Sequence, residues 1–170
     1  PGPGQTVYTS KYTPSTDGTA ETPPASTSIM EAFRFDISPQ QISQTWSDSA
    51  TRISYGDYLG YRVPLVTGTE PYDLVGIMTY YYDRNMVLQT ITFKGRTDDY
   101  QQIAGVLQRF YNFVPRPSNT QFVMMYEKAN EKGDSRSNLW VQPTIGSVEM
   151  ETYKQYEIAV TLDRSEFMRR

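Results

Sequence analysis

The sequence of 170 residues contains neither cysteine nor histidine. Without cysteine there are no disulfides and no thiolate nucleophiles, and without either residue type the usual zinc ligands are missing. Every Ser-His or Cys-His mechanism is excluded in the same way. General acid–base chemistry is left to Asp, Glu, Tyr and Lys, none of which titrates near neutral pH without the help of burial. We therefore predict that the chain is not an enzyme and that it holds no cofactor.

Several motifs for ligand chemistry are also missing. The glycines form no GxxxxGK phosphate-binding loop, and the acidic residues do not have the spacing of a calcium loop, so no metal site is predicted. A formal net charge of -3 provides no broad basic field for phosphates, so nucleic acid is not expected as a partner. No apolar run is long enough to cross a bilayer, so this segment is not expected to insert into a membrane.

Residues 1–28 are rich in Pro, Gly, Ser and Thr, and Val7 is their one aliphatic residue beyond alanine. This composition buries too little apolar surface to offset the entropy of ordering, and it predicts a disordered linker. Two interpretations stay open: a flexible tail without a role of its own, and a spacer from an envelope anchor upstream of Pro1. The remaining residues, 29–170, are long enough for a single domain with a core.

Two helices are predicted. The first is predicted over residues 39–47. Ser38 provides its N-cap, Pro39 is a favourable first helical residue, and Gln41 completes a capping box with Ser38. A second helix is predicted to end at Asn112. Its apolar stripe recurs at helical spacing and consists of Ile103, Val106, Leu107 and Phe110.

Strands are predicted where apolar and polar residues alternate. Phe33, Phe35 and Ile37 alternate with charged residues, which predicts a first strand. Further strands are expected near residues 52–56, 59–68, 74–82, 86–94, 122–128, 139–142 and 153–162. Runs of strands between isolated helices predict an α+β fold, with two helices packed on a mostly antiparallel sheet and a helix-then-meander order in both halves.

The segment MTYYYDRNMVLQTITFKG, residues 78–95, is predicted to form a hairpin. Three consecutive tyrosines cannot all face a core, because neighbouring residues of a strand point to opposite faces. A two-residue turn would direct Tyr80 and Tyr82 to the core, whereas a three-residue turn would direct Tyr81 there instead. We favour the two-residue turn, because it gathers the larger apolar set on one face.

With this register the opposite face of the hairpin is only partly polar. It carries Ile77, Tyr81 and Leu88 around a pair of threonines. One interpretation is the β-propensity of Tyr and Thr, which are common on wet sheet faces. The other is a docking patch for another protein chain, or for a part of the full-length protein that lies outside this sequence. Ile77, Tyr81 and Leu88 form the first predicted binding site.

A second candidate site lies in the loops before this hairpin. It contains four tyrosines and two arginines: Tyr55, Tyr58, Tyr61, Tyr72, Arg52 and Arg62. Aromatic loops with interleaved arginines are typical of surfaces that hold a sugar, a peptide or a single strand. Such a cleft would serve the alternative function, a small-ligand-binding or weakly catalytic domain.

Over residues 37–113, which include YRVPLVTGTEPYDLVGIMTYYYDRNMVLQTITFKGRTDD, the sequence resembles an uncharacterised domain family of planctomycete bacteria. In that family an RVPLVTGT stretch precedes a Tyr-Tyr-aromatic strand, and an ITF-x-G strand leads into a helix. The resemblance implies a domain of unknown function that is exported or associated with the cell envelope. It implies no catalytic residues.

These patterns lead to one expected function, a non-enzymatic protein-interaction module of a cell-envelope or exported protein. A protein partner is expected, while the number of subunits is left open. The expected location is the periplasm, the envelope or the exterior, with the cytoplasm as the alternative.

Overall fold

The computed structural model describes residues 27–144 and 155–168. Its strands are β1 (Thr51–Tyr55), β2 (Tyr58–Val66), β3 (Val75–Tyr82), β4 (Leu88–Thr97), β5 (Phe113–Arg116), β6 (Met124–Lys128), β7 (Asn138–Pro143) and β8 (Tyr156–Asp163). They form one eight-stranded antiparallel sheet with the order β1-β2-β3-β4-β8-β7-β6-β5. The helices are α1 (Ile29–Ala32), α2 (Pro39–Thr45) and α3 (Gln101–Tyr111), and a 3-10 turn, Arg164–Glu166, follows β8.

The antiparallel sheet is confirmed, but the predicted fold class is wrong. Instead of an α+β domain with two helices on the sheet and a helix-then-meander order in both halves, the described residues form mainly the eight-stranded sheet with three short helices. Capping signals explain the error. They fix where a helix begins but do not show whether it is long enough to form a layer of its own.

Two predictions fall on residues that the structure does not describe. The predicted linker, residues 1–28, lies outside the described residues except for its last two positions. The beginning of the last predicted strand, at Tyr153, also lies outside them, and β8 begins at Tyr156. The single domain over residues 29–170 stays a prediction.

The first predicted strand is wrong, because Phe33, Phe35 and Ile37 belong to no strand. A capping box begins α1 just before them: the Ser28 Oγ accepts the Glu31 N–H at 3.2 Å, and the Glu31 carboxylate accepts the Ser28 N–H at 3.3 Å. All three apolar side chains are nevertheless buried in the core. Their alternation therefore reflects burial of the segment rather than pairing with a neighbouring strand.

α2 begins as predicted. The Ser38 Oγ accepts the Gln41 N–H at 3.2 Å, the Gln41 Oε1 accepts the Ser38 N–H at 2.7 Å, and Pro39 is the first helical residue. Ile42 is fully buried, and the helix ends slightly earlier than predicted, at Thr45. We call residues 29–46, which include α1 and α2, the cover segment.

The sheet has two unlike faces. Its inner face shares one core with the cover segment and α3. Buried members of the inner face include Tyr61, Val63, Leu65, Met78, Tyr80, Tyr82, Ile91, Phe93, Leu139, Val141, Val160 and Leu162. The outer face carries the alternate residues of the strands, among which Arg62, Lys94 and Trp140 are exposed. One packed face and one solvated face are common in antiparallel sheets.

α3 joins the core through one side only. Ile103, Ala104 and Leu107 are buried, which confirms part of the predicted stripe, whereas Phe110 is 56% exposed. Asn112 ends the helix as predicted, with a left-handed backbone at φ 55° that asparagine tolerates.

The hairpin of β3 and β4 forms, but the predicted two-residue turn is wrong. The Met86 N–H donates to the Asp83 carbonyl and the Asp83 N–H donates to the Val87 carbonyl, so three residues lie in the turn. Met86 has a positive φ of 59°. The turn is longer because the Asp83 side chain also hydrogen-bonds its backbone: Oδ1 accepts the N–H groups of Asn85 at 2.8 Å and Val87 at 3.0 Å.

A β-bulge restores the predicted direction of the tyrosines. The register shifts between Tyr81 and Tyr82, so that Tyr82 lies opposite Leu88 while Tyr80 lies opposite Ile91. The extra residue in β4 compensates for the odd number of turn residues. Tyr80 and Tyr82 are therefore buried on the inner face and Tyr81 points outward, as predicted.

The two inward tyrosines join the sheet to the cover segment. The Tyr80 hydroxyl donates to the Ala32 carbonyl at 2.7 Å, and the Tyr82 hydroxyl donates to the Ile37 carbonyl at 2.5 Å. Burial raises the pKa of both tyrosines well above the usual value, so the hydroxyls stay protonated and remain donors. Both acceptors are main-chain carbonyls of a segment that is paired with no strand.

We predict that Tyr80→Phe and Tyr82→Phe each lower the free energy of unfolding by about 1–3 kcal/mol, because a buried carbonyl then loses its donor. Tyr81→Phe is the matched control, since the Tyr81 hydroxyl makes no hydrogen bond to another described residue, and we expect it to stay within about 0.5 kcal/mol of the wild type. Urea denaturation followed by circular dichroism measures all three. Equal effects of the three substitutions would contradict the anchoring role.

We also predict that Asp83→Ala destabilises the fold at neutral pH. Hydrogen bonds from the Val87 N–H, the Gln89 side chain and the Asn85 N–H lower the pKa of Asp83. Because the unfolded value is about 3.9, this stabilisation is complete above about pH 5 and is lost as the pH falls through the lower folded-state pKa.

Thermal denaturation of the wild type and Asp83→Ala between pH 7 and pH 2 measures this dependence. We expect the difference in Tm to be largest near neutral pH and to shrink in acid. A difference that is constant across this range would show that the carboxylate charge does not stabilise the turn.

Candidate docking face of the sheet

A row of residues crosses the middle of the outer face. β3, β4, β8, β7 and β6 contribute Ile77, Lys94, Ala159, Trp140 and Met125, each opposite the next. Neighbouring strands lie about 4.8 Å apart, so the row spans roughly 19 Å. The Trp140 indole is 44% exposed, which makes it a large apolar group at the surface of this row.

The small side chain of Ala159 lies between Lys94 and Trp140 and leaves a depression in the sheet surface. Its volume is about 350 Å³, and its lining includes Lys94, Arg96, Trp140, Gln142 and Glu157. The depression is open to solvent on a face where the helices do not pack. It therefore offers an apolar wall and several polar side chains to an incoming molecule.

The polar side of this depression is a row parallel to the first. The Glu157 carboxylate accepts a hydrogen bond from the Arg96 guanidinium at 3.1 Å and from the Gln142 Nε2 at 2.9 Å, so each of its oxygens already has one donor. Lys94 is different: within residues 27–144 and 155–168 it forms no ion pair. The indole therefore lies near one ion pair and one ammonium group that has no anion among the described residues.

The first predicted binding site is not assembled. Ile77 and Tyr81 lie on the outer face as predicted and are half-buried, but Leu88 lies on the inner face and is only 2% exposed. The β-bulge causes the difference, because it turns Leu88 towards the core opposite Tyr82. Tyr81 and Leu88 therefore do not lie on one surface patch.

Tyr81 packs within the sheet surface. Its ring meets the Tyr55 ring edge-on, with centroids 6.1 Å apart. Gly60 opens the space beneath them, since a Cβ at this position would lie 2.5 Å from Ile53 Cγ1 and 3.3 Å from Tyr81 Cε1. These contacts favour cross-strand packing as the reason for the outward tyrosine.

The tyrosine-rich loops of the second predicted site are not brought together either. Tyr55 and Tyr58 close the hairpin of β1 and β2, while Tyr72 lies in the loop beyond the far end of β2. Eight residue steps separate the two ends of β2, which is about 26 Å in an extended strand. These three side chains therefore cannot hold one small ligand.

The remaining three residues of that site point to different faces. Tyr61 is buried on the inner face, and the Arg52 guanidinium lies over its ring at 6.0 Å from the centroid. Arg62 is the next residue along β2 and therefore lies on the outer face. Tyr61 and Arg62 are neighbours in the sequence, but they lie on opposite faces of the sheet.

Trp140 was the important residue missed by sequence analysis. The strand around it was predicted, and the signal was present in the alternation of Leu139, Trp140 and Val141. Because Leu139 and Val141 are fully buried, the residue between them must point to the outer face. The sequence alone could not show that Ala159 would lie beside the indole, since β8 is distant along the chain.

Residues 27–144 and 155–168 contain no group of three or more His, Cys, Asp or Glu side chains placed to hold a metal ion. None of the helices formed by these residues is both long and apolar enough to cross a bilayer.

The fold and this face define an antiparallel-sheet protein in which the described helices pack on one side of the sheet only. Residues 4–169 match the family of unknown function DUF6690, and the chain belongs to this family. No curated protein and no solved structure matches the chain. A family of unknown function assigns no roles to individual residues.

Proposed function

We propose that this chain is a non-enzymatic protein-interaction module that binds an extended, acidic segment of a partner protein on the outer face of its sheet. The observation that carries the proposal is Trp140, which is 44% exposed beside the small Ala159 and the ammonium group of Lys94. Exposed aromatic residues in such depressions are the usual anchors of protein interfaces.

The shape of the site favours an extended chain. The row from Ile77 to Met125 is about 19 Å long, which matches about six residues of extended polypeptide. Its two ends and the Trp140 indole are apolar, while Lys94 lies between them. A segment with apolar residues on both sides of an acidic residue would complement this order.

The charges favour an acidic segment. Covering Lys94 with an apolar partner would remove water from an ammonium group that has no anion among the described residues, at a substantial cost in free energy. A carboxylate from the partner offsets this cost. Glu157 is less suited to this role, because each of its carboxylate oxygens already accepts a hydrogen bond, one from Arg96 and one from Gln142.

A sugar is the second candidate ligand, and one observation favours it. Glu157 and Gln142, whose planar polar groups are held together by a hydrogen bond, lie beside the exposed indole. An aromatic face flanked by such groups can stack on a sugar ring and bind its hydroxyls. We therefore place the sugar site in this depression and no longer among the tyrosine-rich loops.

The location and origin of the protein are also proposals. We place the module in the envelope of a planctomycete bacterium or among its exported proteins. The resemblance over residues 37–113 and the Pro-, Ser- and Thr-rich composition of residues 1–28 support this location.

A peptide selection tests the proposed function. A phage library of random 12-residue peptides is selected on the full chain and counter-selected on Trp140→Ser. We predict that the enriched peptides contain an acidic residue near apolar residues, and that their affinity falls about tenfold or more on Trp140→Ser. Lys94→Glu is expected to weaken the same peptides, because it repels their carboxylates.

Phe110→Ser is the matched control, because Phe110 is a large exposed side chain that is not on the outer face. In a Trp46→Phe background Trp140 is the one remaining tryptophan, so indole emission reports binding at the site directly. Peptides that bind Trp140→Ser as tightly as the wild type would refute the proposed face. Saturable quenching of the Trp140 emission by chito- or cello-oligosaccharides, in the absence of peptide binding, would favour the sugar as the ligand.

A further inference from the structure

The two edges of the sheet differ in how they are protected. β5, at one edge, has four residues and contains Pro115, which has no N–H to offer to another strand. Arg116 in the same strand pairs with Glu127 at 3.7 Å. β1, at the other edge, contains no proline, Arg52 is its one charged residue, and four of its five residues are exposed. Unprotected edge strands of this kind pair readily with another strand.

The hairpin geometry shows which backbone groups of β1 are available. Gly56 and Asp57 form a two-residue loop, with Gly56 at φ 57°, and Tyr55 lies opposite Tyr58. A two-residue hairpin closes on a hydrogen-bonded pair, and such pairs alternate along an antiparallel ladder. Arg52 and Ser54 therefore direct their N–H and C=O groups away from β2.

No described segment other than β2 binds this edge. Among residues 27–144 and 155–168, the hydrogen bonds of Thr51–Tyr55 are confined to the β1–β2 ladder. Tyr55, at the end of the strand, is 70% exposed. The backbone groups of Arg52 and Ser54 are thus open to a strand from outside the described chain.

We infer that the chain forms a homodimer by antiparallel pairing of two β1 edges about a twofold axis at Ile53. In this register Arg52 of each copy lies opposite Ser54 of the second copy. These are the same residues whose backbone groups point outward, so the axis creates two hydrogen-bonded pairs without any shift of β1. The two eight-stranded sheets then continue into each other.

The side chains are complementary in the same register. Ile53 meets Ile53 of the second copy, and Thr51 meets Tyr55, which are favourable cross-strand pairs on the outer face. On the inner side Arg52 faces a neutral serine and not a second arginine. β1 of one copy can therefore pair with β1 of a second copy without placing like charges opposite each other. This complementarity points to a second copy as the partner of the edge, in an isologous twofold interface.

Two substitutions of Ser54 test the register. In the dimer, Ser54→Glu places a carboxylate opposite Arg52 of the second copy, whereas Ser54→Lys places an ammonium group there. Each change acts twice because of the symmetry. We expect the dimer dissociation constant to fall between about twofold and thirtyfold for Ser54→Glu, and to rise by a similar factor for Ser54→Lys.

The net charge makes this a strict test. The chain has a formal charge of -3, so Ser54→Glu makes each copy more negative and Ser54→Lys makes it less negative. General repulsion between copies would therefore change the dissociation constants in the direction opposite to the one expected. Sedimentation equilibrium of the full chain over micromolar to millimolar concentrations measures them.

Trp140→Ser is the control for association through the outer face and is expected to leave the dissociation constant unchanged. Circular dichroism confirms that each variant is folded, and the exposure of Ser54 makes loss of folding unexpected. A wild-type chain that stays monomeric at millimolar concentration would overturn the inference. Equal dissociation constants for the two Ser54 variants would do so as well.

Discussion

Two hydrogen bonds from neighbouring inward tyrosines set the arrangement on which the rest of the structure depends. Tyr80 and Tyr82 extend from β3 through the core and donate to main-chain carbonyls of the cover segment. These carbonyls belong to a non-strand segment with few partners of its own, and burying them without donors would be costly. The tyrosines satisfy them and close the inner face of the sheet.

The described helices close the inner face, and no helix among residues 27–144 and 155–168 packs on the outer one. The alternation of β3 places Tyr81 on the outer face, where it packs against Tyr55 across Gly60. Further along the same face, Ala159 separates Lys94 from Trp140 and creates the depression that we assign to a partner segment. The same sheet supports this surface, and its β1 edge is the separate place where we infer self-association.

Local signals were sufficient for several features. Ser38, Pro39 and Gln41 predicted the beginning of α2, and Asn112 predicted the end of α3, because caps depend on residues that are close in sequence. The directions of Tyr80, Tyr81 and Tyr82 followed from the period of a strand and the need to gather apolar side chains on one side.

Other features depend on contacts that sequence patterns do not contain. The bulge beside Tyr81 moved Leu88 from the predicted patch to the core, and a change of one residue in register cannot be deduced from β-propensity. The pairing of β4 with β8 joins residues that are far apart in the chain, so Lys94 and Ala159 gave no sign of being neighbours. The alternation around Phe33 was mistaken for a strand because a buried irregular segment can show the same period.

The tyrosine-anchored cover segment closes one face of the sheet, and among the described residues the other face is open at Trp140. Hydroxyl-radical footprinting of the full chain, read residue by residue with mass spectrometry, tests both statements in one measurement. The structure predicts rapid oxidation of Trp140 and Tyr55 and strong protection of Tyr80 and Tyr82. Oxidation of Tyr80 or Tyr82 at the rate of Tyr55, or full protection of Trp140, would contradict this account.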